Sequence, residues 1–497
     1  MKPSTAALRA RIADIDARIT LLANQIAGLE AEKTRVKQDL YQVTYPVLSL
    51  PDDIIGEIFA HLVDTDAESP FPTPGSRIPR DLRDPRSPYY ALTLAAVCAR
   101  WRAISLSTSK LWRRIQVECR SSDAMKIRSE EPGPIRPIAL LELWLSRSGI
   151  VPVDICIIAR QGSSEELFHK ALLAISPFAQ RWHRVDLCVE GGPFELPYEF
   201  PTNLDELRYL SLQGSIQWTQ STTIVSPQVH ALSIVHCPFP SGLFSGFNLT
   251  TLKILEIDWL FTSDILRFLE RAPALQSLYI EVADPVNEPP EVAPAIPAIF
   301  PSLQTLVCKY DFSLNLMRFA TFPGLRSLAI WDLDLTRPLV DCVRTFMTSS
   351  KCRITHLHLR NLGPQVSSGI LISTLVLFSH VTHLIIEHKA DPWPRGTLVG
   401  LASNAFNDED FLPALECLAL GGPSREATLE GLVDFVRFRA EKIREGYDIT
   451  ELREVFVQFA TQLGVQGETA ELAKLGVQLR VGELKKTGML WSAAADG

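Results

Sequence analysis

The chain has 497 residues, 46% hydrophobic and 21% charged, which is ordinary globular composition with ample apolar material for a core and room for roughly three domains. A net charge of −8 argues against a general nucleic-acid binder, which needs a basic face. Nine cysteines without a Cys-x-x-Cys pair, no apolar signal core over Met1–Lys37 and no run of ~18 apolar residues point to free thiols in a reducing compartment, cytoplasmic or nuclear, with no membrane span.

The first pattern along the chain is a heptad. Leu8, Ile12, Ile15, Ile19, Leu22, Ile26, Leu29, Lys33, Val36, Leu40 and Val43 are separated by alternating steps of four and three. That 3.5-residue period over five heptads is a coiled-coil seam, with Ile12, Ile19 and Ile26 at a, and Ile15, Leu22 and Leu29 at d. Lys33 is the polar a residue, a type that favours one register at low oligomeric order. In a parallel dimer Arg11 faces Asp16 and Glu32 faces Lys37, each pair opposite in sign. The same stripe could instead lie along the rest of the chain as a lone amphipathic helix; either way the helix ends before Pro46.

Next come Leu50-Pro51-Asp52-Asp53-Ile54-Ile55 and Ile58-Phe59, then Leu62. Pro51 suits a first helical turn, and Ile54, Ile58 and Leu62 recur on one helical face. A polar, proline-rich insert follows over 64–88, in which Arg77, Arg80, Arg83 and Arg86 alternate with Asp81 and Asp84 as a solvated loop would. Helical spacing resumes over Ala91–Ala103, with Leu94, Val97, Cys98 and Trp101 on one face, and Leu111-Trp112 follows. Such stripes need cover, from each other or from a partner.

These residues carry a family resemblance. Leu-Pro-Asp-Asp-Ile-Ile-x-x-Ile-Phe-x-x-Leu at 50–62, Val97-Cys98-x-x-Trp101-Arg102 and Leu111-Trp112 together resemble an F-box, most of all the F-box-like proteins abundant in mushroom-forming fungi, which often carry a heptad helix in front. The resemblance implies docking of a Skp-type adaptor of a cullin ubiquitin ligase through Leu50, Pro51, Ile54, Ile58, Phe59, Leu62, Val97 and Trp101. A compact F-box has a short link where this chain has the 64–88 insert.

From Trp182 onward, apolar-x-x-apolar-x-apolar recurs, beginning at Trp182, Leu207, Val229, Leu252, Leu275, Leu303, Leu325, Ile354, Val381, Leu415 and Leu452. Intervals of 22 to 37 residues, mostly 22 to 29, match a degenerate leucine-rich repeat. Each copy predicts a short strand whose apolar residues join a shared core, with helical or irregular returns such as Thr262–Arg271 and Pro338–Thr348. Upstream, Pro152–Ile158 alternates as one more strand. The expected α/β architecture is therefore a coiled-coil helix over 5–45, an F-box-like module over 46–115, a connecting region and N-terminal cap over 116–181, a solenoid with a parallel strand ladder over 182–485, and a loose tail over 486–497.

Alternate strand positions predict a concave binding face. It presents Tyr209, Ser211 and Gln213, then Ala231 and Ser233, Glu256 and Asp258, Tyr279 and Glu281, Lys309, Trp331, His356, His358 and Arg360, and His383 and Glu387. Tyr279 and Trp331 have the character of anchors, and acidic strands before basic ones would form a charge gradient suited to an elongated protein partner. His356, His358 and His383 could meet across strands, but spacing fixes no further ligand, so neither metal nor cofactor is expected. The chain has no phosphate-cradling loop, no nucleophile elbow and no His-Glu-x-x-His, so no catalytic residue is assigned. The reading is a substrate-recognition adaptor of a ubiquitin ligase; the alternative is a coiled-coil-dimerised repeat scaffold without a ligase.

Overall fold

The computed structural model describes residues 5–42, 49–64, 90–119, 137–160, 163, 165–196, 200–217, 224–238, 244–245, 248–257, 260–282, 297–331, 337–363, 366, 368–388, 396–407, 411–421, 430–457 and 466–481. The 65–88 part of the expected insert, Asp258 and the 486–497 tail lie outside these residues. The chain divides into two units: Met1–Thr65 with Tyr90–Thr108, and Asp66–Tyr89 with Ser109–Gly497.

The first unit is helical. The heptad segment forms one helix, α1, Thr5–Gln42. Helix α2, Asp52–Asp64, starts where the Pro51 carbonyl accepts from the Ile55 N–H at 3.1 Å, and Asp52 and Asp53 place negative charge at its positive end. The stretch expected as one helix over Ala91–Ala103 is two: α3, Tyr90–Val97, and α4, Ala99–Ser107. Cys98 separates them because its backbone is extended (φ −156°, ψ 169°) and its Sγ accepts from the Trp101 N–H at 3.4 Å, capping α4. Arg102 bridges the break, donating from Nε to the Ala95 carbonyl at 3.0 Å.

Among the described residues, the second unit is built on a sheet of fourteen strands, every neighbouring pair parallel. It starts upstream of the repeat spacing, with strands Arg114–Cys119 and Val153–Ala159, and ends at Gln478–Val481. The register follows the sequence frame: Leu306, Leu328, Leu357, Leu384 and Leu418 sit side by side on successive strands. All five are essentially buried, as are Leu303, Leu325, Ile354, Val381 and Leu415, which precede each strand by two residues. Each copy thus sinks three apolar side chains, worth roughly 5–9 kcal/mol by area. None could be buried without the adjacent copy, which is why the strands stack.

Helical returns cover one face of the sheet, and successive ones pack on each other, among them Thr262–Arg271, Tyr310–Phe319, Arg337–Ser350, Ser368–Leu375, Gly396–Asn407 and Glu430–Glu445. Thr262–Arg271 forms over the residues the sequence marks, and Arg337–Ser350 extends the other marked return slightly at both ends. Elsewhere the returns are tied by two-residue parallel pairs, such as Phe194–Glu195 with Ile216–Gln217. No described helix is long and apolar enough to cross a membrane.

The C-terminal repeats hang on a buried arginine. Arg439, only 2% exposed, donates to the carbonyls of Leu412 (2.8 Å), Thr450 (2.8 Å), Leu415 (3.2 Å) and Pro413 (3.4 Å). Burial pushes its guanidinium down to about 10, still charged at neutral pH. It therefore stitches the turn before strand Cys417–Gly421 to the segment before Glu454–Val457. Replacing Arg439 with Leu would leave these carbonyls without their donor, and urea unfolding should show a loss of about 3 kcal/mol or more in the transition that includes these strands.

Candidate functional site

Helix α2 has apolar residues on two faces, and the structure uses only one of them internally. Ile55, Phe59 and Ala60 are buried, and the Phe59 ring meets the Trp101 ring edge-on at 4.8 Å between centroids. Ile104, Leu94 and Ala91 complete that interior. Gly56 lets α2 come close: a Cβ there would lie 3.1 Å from Thr108 Oγ1 and 3.8 Å from Ile104 Cγ2. The start of α2 is fastened by Arg100, whose guanidinium donates to the Leu50 carbonyl at 2.6 Å and, through Nε, to Asp52 Oδ1 at 2.8 Å. The Arg100–Asp52 ion pair is exposed and weakly stabilising; its value is in orienting the helix.

The other face of α2 is bare. Ile54, Ile58 and Leu62 are 46%, 44% and 47% exposed, and Val97, the last residue of α3, is 59% exposed. Pro51 is exposed as well. Of the adaptor-docking residues inferred from sequence, these five are available to a partner. Leu50 and Trp101 are half-buried, and Phe59 belongs to the interior, so its part is to hold α2 in place. Sequence spacing places Ile54, Ile58 and Leu62 on one face, and it is the family resemblance that adds Phe59 of the inner face to the docking set.

A family model described as F-box-like matches residues 47–118. The chain carries an F-box-like domain. The match runs past α4 through Leu111-Trp112 into strand Arg114–Cys119. Trp112, fully buried, stands edge-on to Trp144 at 4.8 Å with the Arg147 guanidinium 4.5 Å over its ring. Trp112, Ile115 and Val117 also have the spacing of the repeat, so the last F-box-like motif residues double as the first copy of the ladder. No curated protein matches the chain.

The ladder's open face departs from its sequence reading at one strand. In strand Thr251–Ile257, Leu252 and Ile254 pair with Leu278 and Ile280, so the true frame is Leu249-x-x-Leu252-x-Ile254, three residues earlier than the copy read at Leu252. Lys253, beside Tyr279 and Ser233, takes the face position, while Glu256 falls where the register shifts. Lys253 is 3% exposed, and burial lowers its ammonium to about 8 against the opposing pull of Glu281. Tyr209 is buried beneath the Arg184 guanidinium, 4.0 Å from its ring.

Further along, several expected face residues are already engaged with one another. Glu387 takes His358 Nε2 at 2.9 Å and Arg360 Nε at 3.2 Å, and Arg360 stacks over the Trp331 ring at 4.9 Å. Burial opposes ionisation of Glu387, but hydrogen bonds and charge from His358 and Arg360 prevail and hold its carboxyl below the usual range. His356 and His383 stack at 4.5 Å and 12°, each Nδ1 within 2.9 Å of the preceding threonine hydroxyl. Among the described residues no group of three His, Cys, Asp or Glu is placed to hold a metal ion. Among the described face residues, Lys253 stands beside the expected acids, and Glu387 stands among the bases, paired with His358 and Arg360.

The two faces of α2 should separate in stability measurements. Phe59→Ala should cost about 3–5 kcal/mol in chemical denaturation of the first unit. Ile58→Asp should change stability by less than about 1 kcal/mol. Equal losses would place Ile58 in the interior.

Proposed function

We propose that the chain is a non-catalytic substrate-recognition adaptor of a Skp–cullin–F-box ubiquitin ligase. The exposed Ile54, Ile58 and Leu62 stripe carries this reading. Three large side chains held open on a helix anchored from behind by Phe59–Trp101 and Arg100–Leu50 form a preorganised docking ridge. Covering a half-exposed isoleucine or leucine returns roughly 1 kcal/mol, so the ridge with Pro51 and Val97 supplies several kcal/mol to a partner with a matching groove. The partner is a Skp-type adaptor, docked by Leu50, Pro51, Ile54, Ile58, Leu62 and Val97, with Phe59 and Trp101 supporting from beneath. The repeats would hold a substrate protein through the open face, with Tyr279, Glu281, Lys309, Trp331, His356, His358 and Arg360 as the contact set. Ligase chemistry then belongs to other subunits, and this chain supplies proximity.

One observation favours a second element of the reading, a homodimer through α1. Its seam residues Ile12, Ile15, Ile19, Leu22, Ile26 and Leu29 are all 46–65% exposed. A helix of 38 residues with such a seam is stabilised by a second copy, which would cover the seam and set Arg11 against Asp16.

Two measurements test these readings. The full chain should bind the Skp-type adaptor of its own organism, and Ile54→Asp/Ile58→Asp should weaken that binding at least a hundredfold in titration calorimetry while the circular dichroism spectrum stays unchanged. A folded wild type that ignores the adaptor would leave the repeat scaffold as the function. Light scattering should report a dimer that Ile19→Asp/Ile26→Asp converts to monomer; a monomeric wild type at micromolar concentration removes the dimer.

A further inference from the structure

The ladder carries a second feature, on the edge where the chain turns into its strands. The turns leading into strands Thr305–Lys309, Ser327–Trp331 and His356–Leu362 border an open surface hollow of about 500 Å³, on which Arg326, Lys351 and Arg353 are exposed. Arg326, Lys351 and Arg353 line it together with Ser302 and Gln304, and no acidic residue does. In a chain of net charge −8, three cations around one hollow are a local reversal of sign. Among the described residues none of the three has an ion-pair partner, whereas Arg113, Arg160, Arg184 and Arg360 along the ladder do.

The backbone around the hollow is fixed by the ladder itself. Gly324 in its wall sits so close to the neighbouring turn that a Cβ would lie 2.2 Å from the Pro301 carbonyl oxygen, so that turn admits only glycine. The backbone beneath is fixed by bonds from the Arg326 and Ser327 N–H groups to the Gln304 carbonyl (2.8 and 2.9 Å), and from the Thr355 and His356 N–H groups to the Arg326 carbonyl (2.8 and 3.0 Å). Lys351 ends helix Arg337–Ser350 with a left-handed backbone, φ +52°, a place where glycine is the comfortable residue. The chain accepts that strain and keeps a cation there.

We propose that this hollow binds a phosphoryl group. Two guanidinium forks and one ammonium match a phosphoryl dianion in charge and geometry, whereas a single carboxylate would leave two of the three cations uncompensated. The volume exceeds that of phosphate, so the group arrives on a larger body, either a phosphorylated small molecule or a phosphorylated side chain of a protein held by the ladder. The proposal does not depend on adaptor docking by α2, and either can fail alone.

Titration calorimetry of the full chain tests it with two probes: pyrophosphate, and a Gly/Ser peptide bearing one phosphoserine beside its unphosphorylated form. The expected result is binding of at least one phosphorylated probe, weakened at least tenfold in Arg326→Gln/Arg353→Gln and weakened by added salt. Pyrophosphate alone would identify a free small-molecule ligand; preference for the phosphopeptide over its unphosphorylated form would identify a protein one. Lys351→Gly supplies a check immune to misfolding: it should raise the melting temperature by relieving the backbone and yet weaken the probe severalfold. No binding of either probe by wild type, or undiminished binding by the folded variants, would overturn the proposal.

Discussion

A ladder strand cannot bury its own apolar residues, and the rest of this molecule follows from that constraint. Leu328 is dry only because Leu306 and Leu357 flank it in register. The three buried residues of each copy therefore fix strand order, register and parallel direction at once. The returns are free to vary, and they do, from helices such as Arg337–Ser350 to paired two-residue segments. Charged residues on the opposite face inherit fixed spacing from the same register. That is why Glu387 can meet both His358 and Arg360.

The F-box-like helices solve a different problem. Helix α2 has thirteen residues and too little mass behind it to bury apolar residues on every side. It commits Ile55 and Phe59 to Trp101 and its surroundings and leaves Ile54, Ile58 and Leu62 in water. The exposed stripe beside a well-packed inner face is what supports the docking proposed for α2. The seam of α1 makes the same argument for a coil partner.

Much of this was legible in the sequence. The heptads from Leu8 to Val43 announced a long helix, the Leu50–Leu62 pattern announced α2, and the recurring apolar triplet announced the parallel ladder. What sequence spacing missed has local causes. Cys98 breaks a helix through its own side-chain cap, which no periodicity reports. The copy expected at Leu252 lies three residues late because Leu249, Leu252, Ile254, Leu255 and Ile257 fit the pattern in two frames, and only pairing with Leu278 decides between them. Phe59 and Ile58 are equally apolar, so only packing tells the inner from the outer face. The basic hollow joins residues from three turns and has no sequence motif at all.

The central claim is that the outer face of α2 is a protein-docking surface, and hydrogen–deuterium exchange of the full chain with and without its organism's Skp-type adaptor tests it most directly. The account predicts that the adaptor slows exchange over residues 50–64 and around Val97, while the ladder strands exchange as before. Unchanged exchange in α2 under saturating adaptor, or protection confined to the ladder, would contradict it.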